Sequence, residues 1–277
     1  VASLLARSNA QLPPDIAAQL PRLEARAKQG EPVAYLLGRQ VFCGRSFIVH
    51  RHTLIPRPET ELLVREAQKR IQPNSTVLDV GAGSGCIALT LALESQAQRI
   101  IASDVRIRTL AVAQKNAERL LSTAQRKRLS FLRTSLLSPT FRDRLAALRP
   151  PHLVVCANLP YLPLTDRQAL HASVTAFEPT RALYAPQDGL ALIFTLLRQI
   201  KKLCARLPLC STDVLLEYDP PQTKALLAFV QRLFPHTKSH VLQDEHGRDR
   251  LLQIPIGRTD LDEMRRVGVQ KNRRRTG

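Results

Sequence analysis

The sequence predicts an α/β fold, a doubly wound parallel sheet, on three observations. From residue 76 onward, short apolar stretches alternate with longer amphipathic ones at the spacing of strand–helix–strand crossovers. A glycine-rich turn at residues 81–85 follows the first of these stretches and opens an apolar run. The length, 277 residues with 44% hydrophobic content, is enough for one large core and a small appendage.

The elements follow in order. Leu4, Leu5, Leu12, Ile16, Leu20 and Leu23 have helical spacing interrupted by Pro13, Pro14 and Pro21, which predicts two short helices ending by Gly30. Val41 with Phe42, and Phe47 with Ile48 and Val49, predict two short strands about a turn at Gly44. Pro56 and Pro58 stiffen a loop before a helix that opens at Glu59, Thr60 and Glu61 and ends near Ile71. Strands are expected at 76–80, 99–104, 129–132, 152–156 and 213–217, with two late ones near 239–243 and 250–255. Helices at 86–93, 109–122, 190–205 and 222–234 lie between them.

Composition narrows the class. The balance of 41 Lys+Arg against 23 Asp+Glu, a net +18, directs attention to an acidic partner. Residues 99–149 hold twelve basic and three acidic side chains, and residues 264–277 hold six basic and none acidic. Aromatics are 4% and Trp is absent, which argues against a base-stacking platform. No apolar run reaches the roughly 18 residues of a membrane span, and no secretory signal pattern is visible. A monomer in the cytoplasm or an organellar matrix, without membrane contact, is therefore expected. Val1 stands where an initiator Met would, so an incomplete start is expected. Cys43, Cys86, Cys156, Cys204 and Cys210 are scattered and should be reduced thiols, and the dispersed histidines predict no metal site.

The chemistry is written at three predicted strand ends. Gly81, Ala82, Gly83, Ser84 and Gly85 form a G-x-G-x-G turn between a strand and a helix. Glycine lets the main chain approach a ligand where a Cβ would collide. The spacing is not the dinucleotide one and no Lys follows for a triphosphate loop; a plain turn is the alternative. Asp104 ends the next strand, 19 residues after Gly85. Neighbouring strand ends line one crevice in such a sheet, so this carboxylate can take both hydroxyls of a ribose, or cap the next helix. A lysine-free glycine turn with a ribose acid suits S-adenosylmethionine better than a nicotinamide dinucleotide. Asn158, Leu159, Pro160 and Tyr161 follow the fourth strand and reach the same crevice. A rigid Asn-x-Pro-aromatic turn offers carbonyl acceptors to a planar NH2 group; a packed Asn-Pro turn is the alternative. An amide or aryl amine is a poor nucleophile, so orientation and acceptor hydrogen bonds are what the protein must supply. His50 and His52 read as loop histidines, Glu217, at a strand end, as a packing or capping carboxylate ahead of one facing the cleft, and Arg57 as a partner contact or a pair for Glu61.

Together these motifs resemble the HemK/PrmC family of release factor glutamine methyltransferases. The likeness runs from Glu31 to Arg250. It is carried by Glu-Pro-Val-Ala-Tyr-Leu-Leu-Gly at 31–38, Ile-Pro-Arg-Pro-Glu-Thr-Glu at 55–61, the glycine turn, Phe-Glu-Pro at 177–179, Asp-Gly-Leu at 188–190 and Gly-Arg-Asp-Arg at 247–250. The resemblance implies an N-terminal helical docking domain at 1–39, a β-hairpin and linker helix at 40–73, and a class I Rossmann-like methyltransferase domain at 74–257; the charge pattern, apart from the resemblance, predicts a basic, disordered tail at 258–277, with a merely solvated end as the alternative. It implies S-adenosylmethionine as cofactor and, as acceptor, the Gln amide of the Gly-Gly-Gln motif in class I peptide chain release factors. Residues 81–85 would wrap the methionine part and Asp104 the ribose. Asn158 would border the cofactor and bind the Gln amide with the Pro160 carbonyl, while Leu159 and Tyr161 complete the substrate pocket; Asn158, Pro160 and Tyr161 carry the catalytic roles. Contact with ribosome or RNA through the basic surface would be transient.

Two departures keep other readings open. Leu159 replaces a family Pro, and Asn-Leu-Pro-Tyr also resembles ribosomal RNA adenine dimethyltransferases, so N6-adenine methylation of RNA or DNA is a second reading. Ser135 and Leu136 replace an acid–aromatic pair at the adenine end. With the basic tail they motivate a third, a ribosome- or RNA-binding protein with a weakened cofactor site.

Overall fold

The structure is a computed structural model that describes residues 14–168, 170–207, 211–257 and 259–262. The expectations for residues 1–13, for Cys210 and for the cations from Arg265 onward lie outside the described residues.

Where two helices are expected near the start, one is found within the described residues: α1 (Pro14–Lys28) with Pro21 inside it. Residues 18–22 are exposed, so water can serve the carbonyl that Pro21 leaves without a donor. Arg26 joins α1 to the following segment through two bonds to Glu31 of 2.7 and 2.5 Å. A single turn, α2 (Val33–Leu36), precedes the hairpin of β1 (Arg39–Phe42) and β2 (Arg45–Ile48), and α3 (Thr60–Arg70) follows. Phe42 and Phe47 meet edge-to-face, 6.1 Å between centroids, and are fully buried against the main body.

Seven strands form the central sheet: β3 (Ser75–Val80), β4 (Arg99–Asp104), β5 (Leu129–Arg133), β6 (His152–Ala157), β7 (Ser211–Glu217), β8 (His240–Gln243) and β9 (Asp249–Ile256). Their order is β5-β4-β3-β6-β7-β9-β8. The helices α4 (Cys86–Glu94), α5 (Ile107–Leu120), α6 (Thr123–Lys127), α7 (Pro139–Leu148), α8 (Ala172–Phe177), α9 (Thr180–Leu183), α10 (Ala191–Cys204) and α11 (Thr223–Leu233) lie between and beside the strands, with short 3-10 turns at Leu164–Gln168 and Pro220–Gln222. Period-2 alternation gives the sheet two apolar faces. Leu78, Leu153 and Val155 face a cluster with Phe141 of α7, Ile200 of α10 and Phe229 of α11. Val77, Val154 and Cys156 face the other way, toward Leu63 of α3, Leu89 of α4 and the hairpin phenylalanines.

The sheet is not parallel throughout. β3 to β7 pair in parallel, but β7 with β9 and β9 with β8 run antiparallel. A five-residue link, 244–248, held by Asp244 joins β8 to β9, and so short a link can only form a hairpin. Five described helices, α2, α6, α7, α8 and α9, stand where no element was expected, and α7 is the longest of them. Its start signals are ordinary, with the Ser138 hydroxyl accepting from Phe141 N and Pro139 in the first turn. Only Phe141 and Leu145 are buried on it, which makes its apolar face too thin to read as periodic.

Two further ties matter for the frame. Ser75 and Asp213 hold the His152 ring, at 2.7 Å to Nδ1 and 3.1 Å to Nε2, across the N-terminal ends of β3, β6 and β7. At the other end, residues 259–262 are helical, and Asp260 accepts from His236 N and the Thr237 hydroxyl. Between β3 and β6 the strand order reverses, and the crevice at their C-terminal ends is where such sheets bind ligands.

Candidate active site

The cleft is built on the turn after β3. Gly81 N and Ala82 N both donate to Ser103 O, at 2.8 and 2.9 Å, which folds the turn back across the end of β4. A Cβ on Gly81 would lie 3.0 Å from Leu159 Cδ2, so the main chain there packs directly on the neighbouring turn. Beneath it Asp79 is fully buried, with Oδ2 accepting from Ala88 N at 3.0 Å and Oδ1 unpartnered. Burial, with the nearby Asp104 charge adding to it, pushes the Asp79 carboxyl up to about 7.

Asp104, at the end of β4, is already fixed. Oδ2 accepts from Gly83 N at 3.2 Å and Oδ1 from Arg106 N at 2.9 Å. Its carboxyl is raised by burial, and the main-chain donors at Arg106 and Gly83 oppose that rise. Asp104 thus lines the cleft while its Oδ1 also holds the main chain of Arg106, the residue before α5.

From the opposite wall comes the turn after β6. Asn158 Nδ2 donates to the Thr60 hydroxyl at 2.9 Å, which leaves Oδ1 as the atom available to accept. Leu159 is buried and Pro160 half-buried, and both line the cleft. Tyr161 turns away and donates to Glu217 Oε1 at 3.2 Å. Its main-chain carbonyl accepts from Gln222 Nε2 at 2.6 Å, and the same amide donates to Asp188 O at 2.7 Å.

The structure brings Gly81, Ala82, Gly83, Ser84, Asp104, Asn158, Leu159 and Pro160 around one open cleft. Two predicted site residues stand behind the wall instead. Gly85 packs on α5, where a Cβ would lie 3.0 Å from Ala113 Cβ. Tyr161 is directed to Glu217 because a buried phenol needs a partner there. Ser135 and Leu136 do line the cleft, as expected of its far end.

Other groups were missed or left open in the sequence. Arg57 pairs with Glu178, not Glu61, whose Oε1 accepts from Cys43 N. Glu217 is fully buried at the end of β7 beside the Asn158–Thr60 pair, and burial pushes it up to about 7 while Thr60 and Tyr161 pull it down. The signal for Glu217 was its place at a parallel strand's C-terminal end, and for Thr60 its place in the 55–61 motif. Among the described residues no group of His, Cys, Asp and Glu could hold a metal. No described helix is long and apolar enough to cross a membrane.

The parallel five-strand unit, the glycine turn after its first strand and the acid at the end of its second define a class I methyltransferase. A family model described as "Methyltransferase small domain" matches residues 58–144. The chain belongs to the release factor glutamine methyltransferase family. It is 30% identical over 225 residues to the release factor glutamine methyltransferase of Staphylococcus aureus, covering 81% of this chain and 76% of that one. It is 33% identical over 233 residues to that of Bacillus anthracis, covering 82% and 77%. In fold it is similar to the hMettl16 catalytic domain solved with the MAT2A 3'UTR hairpin 1, at a TM-score of 0.60 and 15% identity, covering 89% and 92%.

A methyl donor of the S-adenosylmethionine type follows from the family, and the residues fit one. The main chain at Gly81 lines the cleft with a φ of +84° that suits glycine, and the Asp104 carboxylate is held at the cleft by two N–H groups with lone pairs to spare.

Proposed function

We propose that this chain methylates the side-chain amide nitrogen of the Gln in the Gly-Gly-Gln motif of a class I peptide chain release factor, with S-adenosylmethionine as donor. The observation that carries the reading is Asn158, whose Nδ2 is committed to Thr60 so that Oδ1 serves as acceptor beside the glycine turn. When bound, the donor supplies an electrophilic methyl group on a positively charged sulfur.

The chain's own residues do the rest. Residues 81–84 hold the methionine part against the end of β3, and Asp104 takes the ribose hydroxyls. Asn158 Oδ1 and the Pro160 carbonyl accept the two N–H groups of the Gln amide. That pins the nitrogen with its face toward the methyl group, and orientation supplies what a delocalised lone pair lacks. No side chain need remove a proton beforehand: as the methyl–sulfur bond breaks and the methyl–nitrogen bond forms, the sulfur leaves as a neutral thioether, and the nitrogen then gives up its proton to water. The region of α1 and α2, with the residues before it, serves as the docking side for the release factor, and the basic segment 99–149 steers the encounter with acidic surface.

The reading is tested with labelled S-adenosylmethionine offered to a class I release factor, to the same factor with Gly-Gly-Ala, and to ribosomal RNA. Label is expected in the first alone. Label confined to RNA would overturn the reading. An Asn158→Ala protein should keep cofactor affinity within a few-fold and lose turnover by about 100-fold or more.

A further inference from the structure

We propose that Thr60 and Glu217 are positioning residues, forming with Tyr161 a buried polar chain that fixes which end of the Asn158 amide faces the acceptor. The inference rests on the methyl transfer proposed above, because it concerns how Asn158 presents its carbonyl oxygen.

An asparagine side chain is nearly symmetric in shape, so packing alone does not choose between its two ends. A half-turn would offer an NH2 donor to the Gln amide where an acceptor is required. The choice is made by the group on the far side. Thr60 sits in the first turn of α3 and takes the Nδ2 proton on Oγ1 at 2.9 Å. A hydroxyl that accepts in this way keeps one proton to donate. The Glu217 carboxylate lies on that side, buried at the end of β7, and the Thr60 hydroxyl favours its charged form. Tyr161 donates to Glu217 Oε1, while Oε2 is buried without a direct hydrogen bond. The chain thus has one sense throughout: amide to hydroxyl, hydroxyl toward carboxylate, phenol to carboxylate. A protonated Glu217 could donate to Thr60 and would remove the reason for that sense.

The surroundings are consistent with an ionised carboxylate in a costly place. Arg250 of β9 faces Glu217 with opposite charge, and Glu59 before α3 opposes it. Arg250 is itself shared with Asp219 and Asp244. Burial outweighs these, with a midpoint near 7, so the productive form is lost as pH falls through that value. Asp79 titrates in the same range, and a pH profile by itself would not separate the two.

Three variants of the full chain test this: Thr60→Val, Thr60→Ser and Glu217→Gln. Turnover is measured with saturating release factor and S-adenosylmethionine, cofactor affinity by calorimetry, and folding by thermal unfolding. Thr60→Val should lower kcat by about 10- to 100-fold with KM and cofactor affinity within about threefold, since a misaimed acceptor costs rate before binding. Thr60→Ser should restore kcat to within about threefold, because the hydroxyl returns. Glu217→Gln, neutral at every pH, should hold kcat near the low value expected of the natural chain below pH 7 and flatten the rise through 7, and kcat at pH 8 within twofold of the natural chain would overturn the role of Glu217. An independent arm follows the Asn158 side-chain amide by nitrogen-15 NMR. Its resonance should move, and its protons exchange faster, in Thr60→Val. Thr60→Val turnover within twofold of the natural chain, a matching loss of cofactor affinity, or an unmoved Asn158 signal would each overturn the inference. Absence of release-factor labelling by the natural chain would instead remove the acceptor reading, while the NMR arm still decides whether the chain holds Asn158.

Discussion

Arg57 Nη2 lies 2.5 Å from Glu178 Oε1, an ion pair between residues 121 apart in sequence. The Glu178 side chain is 1% exposed and that of Arg57 33%, and Glu178 Oε2 also accepts from Ile55 N at 3.1 Å. The pair binds the loop before α3 to the segment between α8 and α9, and both Arg57 and Arg181 of α9 line the cleft. Its two halves are unequal. Arg57→Ala leaves a buried carboxylate with one N–H and should cost about 2–3 kcal/mol. Glu178→Ala leaves a guanidinium that can reach water and should cost about 1–2 kcal/mol. Urea denaturation of both variants checks the order.

Asp104→Asn keeps the size of the side chain and removes one acceptor's charge. With Gly83 N and Arg106 N still to serve, the ribose hydroxyls would lose a charged partner, and S-adenosylmethionine affinity should fall by about 10- to 100-fold. Calorimetry measures it. Unchanged affinity would remove Asp104 from the ribose site.

Gly189→Ala should be among the most damaging single substitutions. Gly189 has φ +84°, and a Cβ there would lie 1.7 Å from Tyr161 O, inside the carbonyl that Gln222 holds. The turn after β6 must shift, so both thermal stability and turnover should drop, with about 2–3 kcal/mol or more lost. Gly247→Ala is the comparison: φ is +72° but nothing lies within 4 Å of its Cβ, and only the backbone cost of about 1 kcal/mol is expected.

Asp79 gives stability a pH dependence. Its folded carboxyl is raised from 3.8 to about 7, so it contributes most below pH 4 and its contribution is lost as pH rises toward 7. Asp79→Asn removes that titration. Unfolding free energy measured from pH 4 to 8 should fall less steeply for the variant than for the natural chain, and a parallel pair of curves would contradict the assignment.

Much of this protein is legible in the order of its residues. The alternation of apolar stretches from residue 76 specified the five parallel strands, because each strand must bury both faces and each crossover must cover one. The glycine turn, Asp104 and Asn158 were readable because strand ends in such a sheet share one crevice, which makes their meeting a matter of topology. The hairpin at the far edge escaped that reading, since a strand's direction depends on the link to its neighbour and not on its own composition.

Only tertiary structure decided which polar groups face each other. Arg57 had a carboxylate four residues away at Glu61, yet pairs with Glu178, because Glu61 is taken by Cys43 N from the hairpin. Tyr161 belongs by sequence to the cleft motif, yet its hydroxyl is drawn behind the wall to Glu217, 56 residues onward. Thr60 and Asn158 are 98 residues apart. Hydrogen bonds of this kind join elements that have no local relation, so they exist only once the sheet has placed α3 over the ends of β6 and β7. Sequence determined the crevice and the three motifs that open on it; packing across the sheet decided how each motif is aimed.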